Sequence, residues 1–229
     1  MKTLFIIPAR GGSKGIPRKN IKLLGGKPLI SYSVEVARAL ADDQDICVST
    51  DDAEIKDIVE QTALKVPFLR PSELATDQAT TQDVLLHAID YFQTKGRHYD
   101  RIILLQPTSP FRKINQIQEA INLWEDGLEM VVSVKITDAN PYYVLFEENE
   151  FGFLEKSKKG FFSRRQDCPL VYQYNGAIYV IDVKSLKSRH IFNFERIKKY
   201  VMDAESSIDI DSSLDWKFAE FLLSQKQGS

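Results

Sequence analysis

Short, wholly apolar runs alternate along the chain with stretches whose apolar positions recur every three or four residues. Leu4-Phe5-Ile6-Ile7, Ile46-Cys47-Val48, Ile102-Ile103-Leu104-Leu105 and Met130-Val131-Val132 have no polar face, the pattern of strands buried on both sides. Leu29, Ile30, Val34, Ala37 and Leu40 fall at helical spacing, as do Ile55, Ile58, Val59 and Ala63. Val84, Leu85, Ala88, Ile89 and Phe92 repeat the pattern, and Ile117, Ala120, Ile121 and Trp124 repeat it again. Strand followed by helix, four times over, predicts right-handed crossovers and an α/β fold: a doubly wound, mostly parallel sheet with helices on both faces.

The rhythm changes after Val134. Residues 135–174 are rich in aromatics, charges and short turns and show no helical period, which predicts an inserted β-rich ribbon within a single domain spanning 1–229. Tyr142, Tyr143, Phe146, Phe151 and Phe153 are costly to expose on a monomer, so the insert is expected to be a dimerisation element; the alternative is that these rings cover the parent domain. Regular structure resumes at Asn175–Ile181, and a last helix runs from about Ser213 through Trp216, Phe218, Phe221 and Leu222. Lys226 to Ser229 are expected to be a frayed tail.

Composition narrows the classes. With 229 residues, folding can bury about 70% of the unfolded surface, so the core needs no disulfide or metal staple. Thirty basic and thirty-two acidic side chains leave a net charge of -2, which argues against a nucleic-acid-coating protein but leaves room for a local anion site. Cys47 and Cys168 match no metal or redox spacing and are expected to be free thiols of a reducing compartment. The apolar run at Thr3–Ile7 is too short for a secretory leader, and no run approaches the roughly 18 residues of a membrane span. The expectation is a cytoplasmic protein.

The most informative stretch is Pro8-Ala9-Arg10-Gly11-Gly12-Ser13-Lys14-Gly15-Ile16-Pro17-Arg18-Lys19-Asn20. It leaves the carboxyl end of the first strand, where open α/β sheets bind ligands. Three glycines allow backbone amides to approach an anion closely, and Arg10, Lys14, Arg18 and Lys19 add four cations. Amides and cations at this density fit a triphosphate. The loop has neither the Gly-Lys-Ser/Thr ending of a Walker loop nor the glycine spacing of a dinucleotide fold.

The run Ile6–Gly15 with Lys19-Asn20 resembles the opening of the acylneuraminate cytidylyltransferases, the CMP-sialic acid synthetases. The resemblance continues through Ser49-Thr50-Asp51, Leu69–Ala75, Gln106–Arg112, Arg164-Arg165-Gln166, Asn175–Tyr179 and Ser207–Asp211, in family order across nearly the whole chain. It implies a Rossmann-like nucleotidyltransferase that joins CTP to a sialic acid, giving the CMP-sugar and pyrophosphate, and works as a cytoplasmic homodimer. A more distant alternative is an enzyme of the 3-deoxy-manno-octulosonate type, which also activates an acidic sugar with CTP. A non-catalytic nucleotide-binding regulator is a second.

The resemblance also implies roles. Ala9, Arg10, Ser13, Lys14, Lys19 and Asn20 would surround the phosphates and ribose, with Arg10, Lys19 and Asp211 acting in catalysis. Arg70, Ala79 and Thr81 would surround the cytosine, although Arg70 could be an exposed turn residue and Thr80 or Thr81 a helix cap. Asp209 and Asp211, if extended, face one side together and suit magnesium, the expected cofactor; Asp211 or Ser212 could also cap the last helix with Asp215. Gln106, Arg165, Asn175, Tyr179 and Phe192 would line the pocket of an acidic nine-carbon sugar, with Arg164 the neighbour most easily confused with Arg165.

Two positions depart from the neuraminate-specific members: Gln173 stands where they have an arginine and Asn193 where they have an aromatic. Both bear on which sugar is taken, with legionaminic acid a competitor to N-acetylneuraminic acid. His87, His98 and His190 pair with no nucleophile and read as structural, so the sequence names no general base.

Overall fold

The computed structural model describes residues 1–227. The elements follow as β1 (Thr3–Pro8), a hairpin of β2 (Leu23–Leu24) and β3 (Lys27–Pro28), α1 (Leu29–Arg38), β4 (Ile46–Ser49), α2 (Ala53–Glu60), α3 (Thr81–Thr94), β5 (Arg101–Leu104), α4 (Ile114–Asn122) and β6 (Met130–Ile136). A second hairpin of β7 (Phe146–Glu148) and β8 (Leu154–Lys156) comes next. It is followed by β9 (Tyr172–Asp182), α5 (Val183–Ser188), β10 (Ile197–Val201) and α6 (Ser213–Gln227). The expected mostly parallel sheet is present: six strands in the order β10-β6-β9-β5-β1-β4, of which β9 alone runs antiparallel to its neighbours.

Alternation along each strand assigns the two faces. Phe5 and Ile7 of β1 pack with Ile30, Val34 and Ala37 of α1 and Ile117 and Ala120 of α4. Leu4 and Ile6 point the other way, onto Leu85, Ala88, Ile89 and Phe92 of α3 and Leu186 of α5. Each buried Leu, Ile, Val or Phe side chain among these contributes about 1.5–3 kcal/mol by leaving water. A third cluster joins Trp216 and Ala219 of α6 to Ile16, Leu24, Leu29, Phe111 and Ile210, so the last helix clamps the loop that follows β1. Ser212 and Asp215 start that helix with reciprocal bonds, Asp215 Oδ2 accepting Ser212 N–H at 2.7 Å. The helix continues through Lys226, which pairs with Glu205, so the expected fraying at Lys226 is not seen; Gly228 and Ser229 lie outside the described residues. Ala63 also falls outside its expected helix, in a turn with φ of +68°.

The insert is tied into the central sheet at both ends, because β6 continues to Ile136 and pairs there with Tyr172 of β9. Between these arms lie the β7–β8 hairpin and a 3-10 turn at Arg165–Asp167. Phe146, Phe151 and Phe153 are exposed as expected, by 47%, 73% and 69%. Tyr142 and Tyr143 are half-buried instead, Tyr142 standing edge-on to Phe162. Cys47 is buried in β4 and Cys168 half-buried, both free, and burial pushes the Cys47 thiol well above its ordinary range. Among the described residues no helix is long and apolar enough to cross a membrane.

Candidate active site

A cleft of about 450 Å³ opens at the carboxyl ends of β1 and β5, the edge where open α/β sheets present their loops to ligands. The loop after β1 forms one wall with Arg10, Ser13, Lys14, Lys19 and Asn20. Arg70, Ala79, Thr80 and Thr81 form the second, and Gln106, Pro107 and Thr108 after β5, with Asp211, form the third.

The first loop is braced from behind. Gly11 N–H donates to Asp51 Oδ1 at 3.2 Å, and Asn20 Nδ2 donates to Arg10 O at 2.9 Å. Arg18, in the left-handed region with φ of +54°, pairs with Asp52 and Glu54. Asp52 also caps α2, accepting Glu54 and Ile55 N–H at 2.9 and 3.0 Å. The Arg18 guanidinium, helped by those amides, holds the Asp52 carboxyl below the usual range. Ala9 is fully buried and donates to Ser49 O at 2.9 Å, so it anchors the loop rather than facing the cleft.

Lys19 is buried and makes the central link, its Nζ donating to Ile210 O at 2.7 Å and Asp211 Oδ1 at 3.0 Å. Gly15 makes this approach possible, because a Cβ there would collide with the Asp211 carbonyl oxygen. Arg10 and Lys14 both pair with Asp77, at 2.9 and 2.5 Å. Asp77 has no place in the sequence expectations. Its one signal is its position between the matching Leu69–Ala75 run and Ala79.

Arg70 is not an exposed turn residue. Its side chain is 3% exposed, it pairs with Asp51 at 3.3 Å, and burial draws its pKa down while Asp51 opposes that pull. Thr80 caps α3 in a reciprocal box with Asp83 and still lines the cleft beside Thr81.

Residues 208–211 pair with no strand, yet Ile208 and Ile210 both pack into the third cluster, and Asp209 lies near enough to Asp211 to feel its charge. Asp211 is exposed at 73% of its side chain, whereas Asp209 is largely buried and one of its oxygens has no hydrogen-bond partner. Burial raises the Asp209 pKa, and the nearby Asp211 charge adds to that rise. An unpartnered buried carboxylate oxygen next to an exposed carboxylate, at the mouth of a cationic cleft, is a hard-oxygen donor pair. It fits magnesium, which takes one or two protein carboxylates and fills its shell with water or phosphate oxygens. Among the described residues no three His, Cys, Asp or Glu side chains cluster into a complete metal cage.

The residues expected at the sugar are dispersed. Gln106 lines the cleft. Gly176, with φ of +74°, sits between Gln106 Oε1 and Asp209 Oδ2, which lie 2.9 and 3.6 Å from where a Cβ would stand, so no side chain fits there. Tyr179 is half-buried nearby; burial first, then the Asp209 charge, pushes its phenol up to about 12. Asn175 faces inward: Nδ2 donates to Ser207 Oγ at 2.9 Å, and Oδ1 accepts from Ser133 Oγ at 2.6 Å. It thus fastens the β-bulge between β6 and β9 and supports the floor of the cleft. Arg165 sits on the insert, paired with Asp138, and lines a separate hollow with Ile136, Asn140 and Pro169. Phe192 is 88% exposed on a 3-10 turn. Arg164 pairs with Asp167.

Arg112 is a support that the sequence expectations did not single out. It is buried, donates to Ala177 O at 2.6 Å, to Ser33 Oγ at 2.8 Å and to Gln106 O, and burial pulls its pKa down to about 9. It ties α1, the β5 loop and the bulge together behind Gln106. Among the described residues no histidine lines the cleft: His87 stands edge-on to Phe68, and His190 accepts Phe192 N–H as a cap.

A cytidylyltransferase family model matches residues 4–227. The chain is 36% identical to a CMP-N,N'-diacetyllegionaminic acid synthase of Legionella pneumophila, over 99% of this chain and 98% of that protein. It is 33% identical to an N-acylneuraminate cytidylyltransferase of Escherichia coli over 98% of this chain, which spans about half (53%) of that longer protein. Among solved structures, a CMP:2-keto-3-deoxy-manno-octonic acid synthetase complexed with CTP superposes with a TM-score of 0.74 at 18% identity, covering 99% of this chain and 100% of that one. At that identity the likeness speaks for the fold.

Proposed function

The chain belongs to the cytidylyltransferase family, and from that premise we propose that it joins CTP to a nine-carbon acidic sugar of the sialic acid class, releasing pyrophosphate. The observation that carries this reading is the convergence in one cleft of Arg10, Lys14, Lys19 and Arg70 with Asp211, beside which Asp209 lies. Such a cleft neutralises a triphosphate while leaving an oxygen-rich corner for a cation.

In the reaction the anomeric hydroxyl of the sugar attacks the α-phosphorus. The new phosphorus–oxygen bond forms as the α–β bridge breaks, pyrophosphate leaves with the electron pair, and the hydroxyl proton is lost to water. Arg10, Ser13 and Lys14 hold the outer phosphates, and Arg10 and Lys14 release Asp77 to do so. Lys19, already desolvated and fixed by Ile210 O, neutralises the charge that develops on the leaving group. Asp209 and Asp211 would hold magnesium, which would supply charge to screen the triphosphate and polarise the reacting oxygens. Arg70 and the backbone near Ala79 and Thr81 face the base.

Gln106 and Tyr179 meet the sugar from within the chain, and Asn175 keeps their support rigid. Arg165 and Phe192 complete the pocket only in a homodimer, with the insert and its exposed Phe146, Phe151 and Phe153 as the interface. The 36% identity to a legionaminic acid enzyme, together with Gln173 and Asn193, favours a diamino sugar of the legionaminic type over N-acetylneuraminic acid.

Pyrophosphate release with CTP, magnesium and a panel of neuraminic, legionaminic, pseudaminic and octulosonic acids tests this. Release with a nine-carbon acid, and not with UTP, is expected. Release only with the octulosonic acid, or none in protein that binds CTP, would overturn it.

A further inference from the structure

Asp51 stands outside the cleft wall and yet holds two of its parts. Its Oδ1 accepts Gly11 N–H of the phosphate loop at 3.2 Å and Arg70 Nη2 at 3.3 Å. Arg70 is clamped a second time through its backbone, whose N–H donates to Thr50 O at 2.7 Å, one residue before Asp51. Among the described residues Asp51 is the carboxylate that pairs with this nearly inaccessible guanidinium, and Arg70 Nε is left without a hydrogen-bond partner. A buried guanidinium tied at Nη2 and through its backbone, with Nε–H free, has its swing limited by those two ties.

We propose that Asp51 is a positioning residue that fixes the plane of Arg70 and so sets discrimination between CTP and UTP, an inference that rests on the cleft taking CTP. Guanidinium donates only. Cytosine offers adjacent acceptors at its O2 and N3, while uracil carries an N–H at position 3 between two carbonyls. Held in one plane, Arg70 satisfies the two cytosine acceptors and meets the uracil N3–H donor to donor, leaving polar groups unpaired. Released from Asp51, the guanidinium can turn toward either uracil oxygen. Sharing one carboxylate oxygen with Gly11 also fixes the base reader relative to the phosphate loop. Asp51 therefore acts on selectivity more than on turnover.

The test compares kcat/KM for CTP and UTP in the wild type, Asp51→Asn and Asp51→Glu, with calorimetric binding of both nucleotides and melting temperatures measured in parallel. Asp51→Asn keeps an acceptor and loses the charge; Asp51→Glu keeps the charge and moves it by one methylene. Both are expected to lower the CTP:UTP preference by about tenfold or more, while kcat at saturating CTP stays within about threefold. Asp51→Glu keeps the experiment decisive if the asparagine variant fails to fold. Unchanged preference in a folded variant, or equal loss of both nucleotides, would overturn the proposal. A wild-type protein that binds neither nucleotide would instead overturn the reading of the cleft.

Discussion

On the side of the cleft walled by the loop after β1, each cation is already held by a carboxylate or carbonyl of the same chain: Lys19 by Ile210 and Asp211, Arg70 by Asp51, Arg10 and Lys14 by Asp77. Among the residues expected at the sugar, Gln106 lines the cleft and Tyr179 is half-buried near Asp209, whereas Arg165 is paired to Asp138 on the insert and Phe192 is exposed. The first half is built from loops leaving neighbouring parallel strands, so the sheet itself brings its residues together. The second draws on a segment that buries few of its aromatics. Under the proposed function, one chain suffices to hold the nucleotide and the sugar pocket needs a second copy.

The sharpest way to separate the two halves is Lys19→Met, expected to lower kcat about 10²–10³-fold with a much smaller change in CTP binding. Steady-state kinetics beside calorimetry would show it, and a loss confined to CTP affinity would mean that Lys19 only binds. Arg165→Ala is expected to raise the sugar KM about 10–100-fold and leave the CTP KM in place. Equal effects on both substrates would erase the proposed division. A smaller change should follow Asp77→Asn: freed of their internal anion, Arg10 and Lys14 should bind CTP about threefold more tightly at low salt. Weaker binding would instead make Asp77 a strut for the segment carrying Ala79.

The smallest effect concerns carboxylates that cap helices and turns, of which Asp52 also braces the loop after β1. Asp52, Asp83, Asp203 and Asp215 are held below the ordinary carboxylate value of 3.8 by hydrogen bonds, with Arg18 the first cause at Asp52. A depressed folded-state pKa gives stability that is present above the unfolded value and lost as pH falls through the folded one. Urea midpoints should therefore fall as pH drops below 3.8, and Asp52→Asn should reduce that slope. A slope unchanged in the variant would remove Asp52 from the set.

The sheet was legible because buried parallel strands are apolar on both faces and their helices carry a clear period, as in Leu4–Ile7 and Val84–Phe92. The antiparallel direction of β9 was not, because Ala177–Ile181 reads as the same apolar run either way. Glycines and cations in one loop singled out the segment that forms one wall of the cleft. Its counter-charges were hidden by distance along the chain: 40 residues separate Gly11 from Asp51, and 67 separate Arg10 from Asp77. Asn175 shows the opposite limit, since a motif match places a residue near a pocket but does not say which way its amide faces.

The division of the site between two copies stands or falls on a mixing experiment, in which Lys19→Met and Arg165→Ala dimers are dissociated and reassociated together. Each homodimer is impaired, but a mixed dimer contains one site with an intact Lys19 from one copy and an intact Arg165 from the other. Assayed with sugar well below the wild-type KM, recovery to about a quarter of wild-type activity is expected in a random equimolar mixture of two-fold dimers. Activity no greater than the sum of the two variants alone would place Lys19 and Arg165 in the same chain's site and contradict the shared pocket.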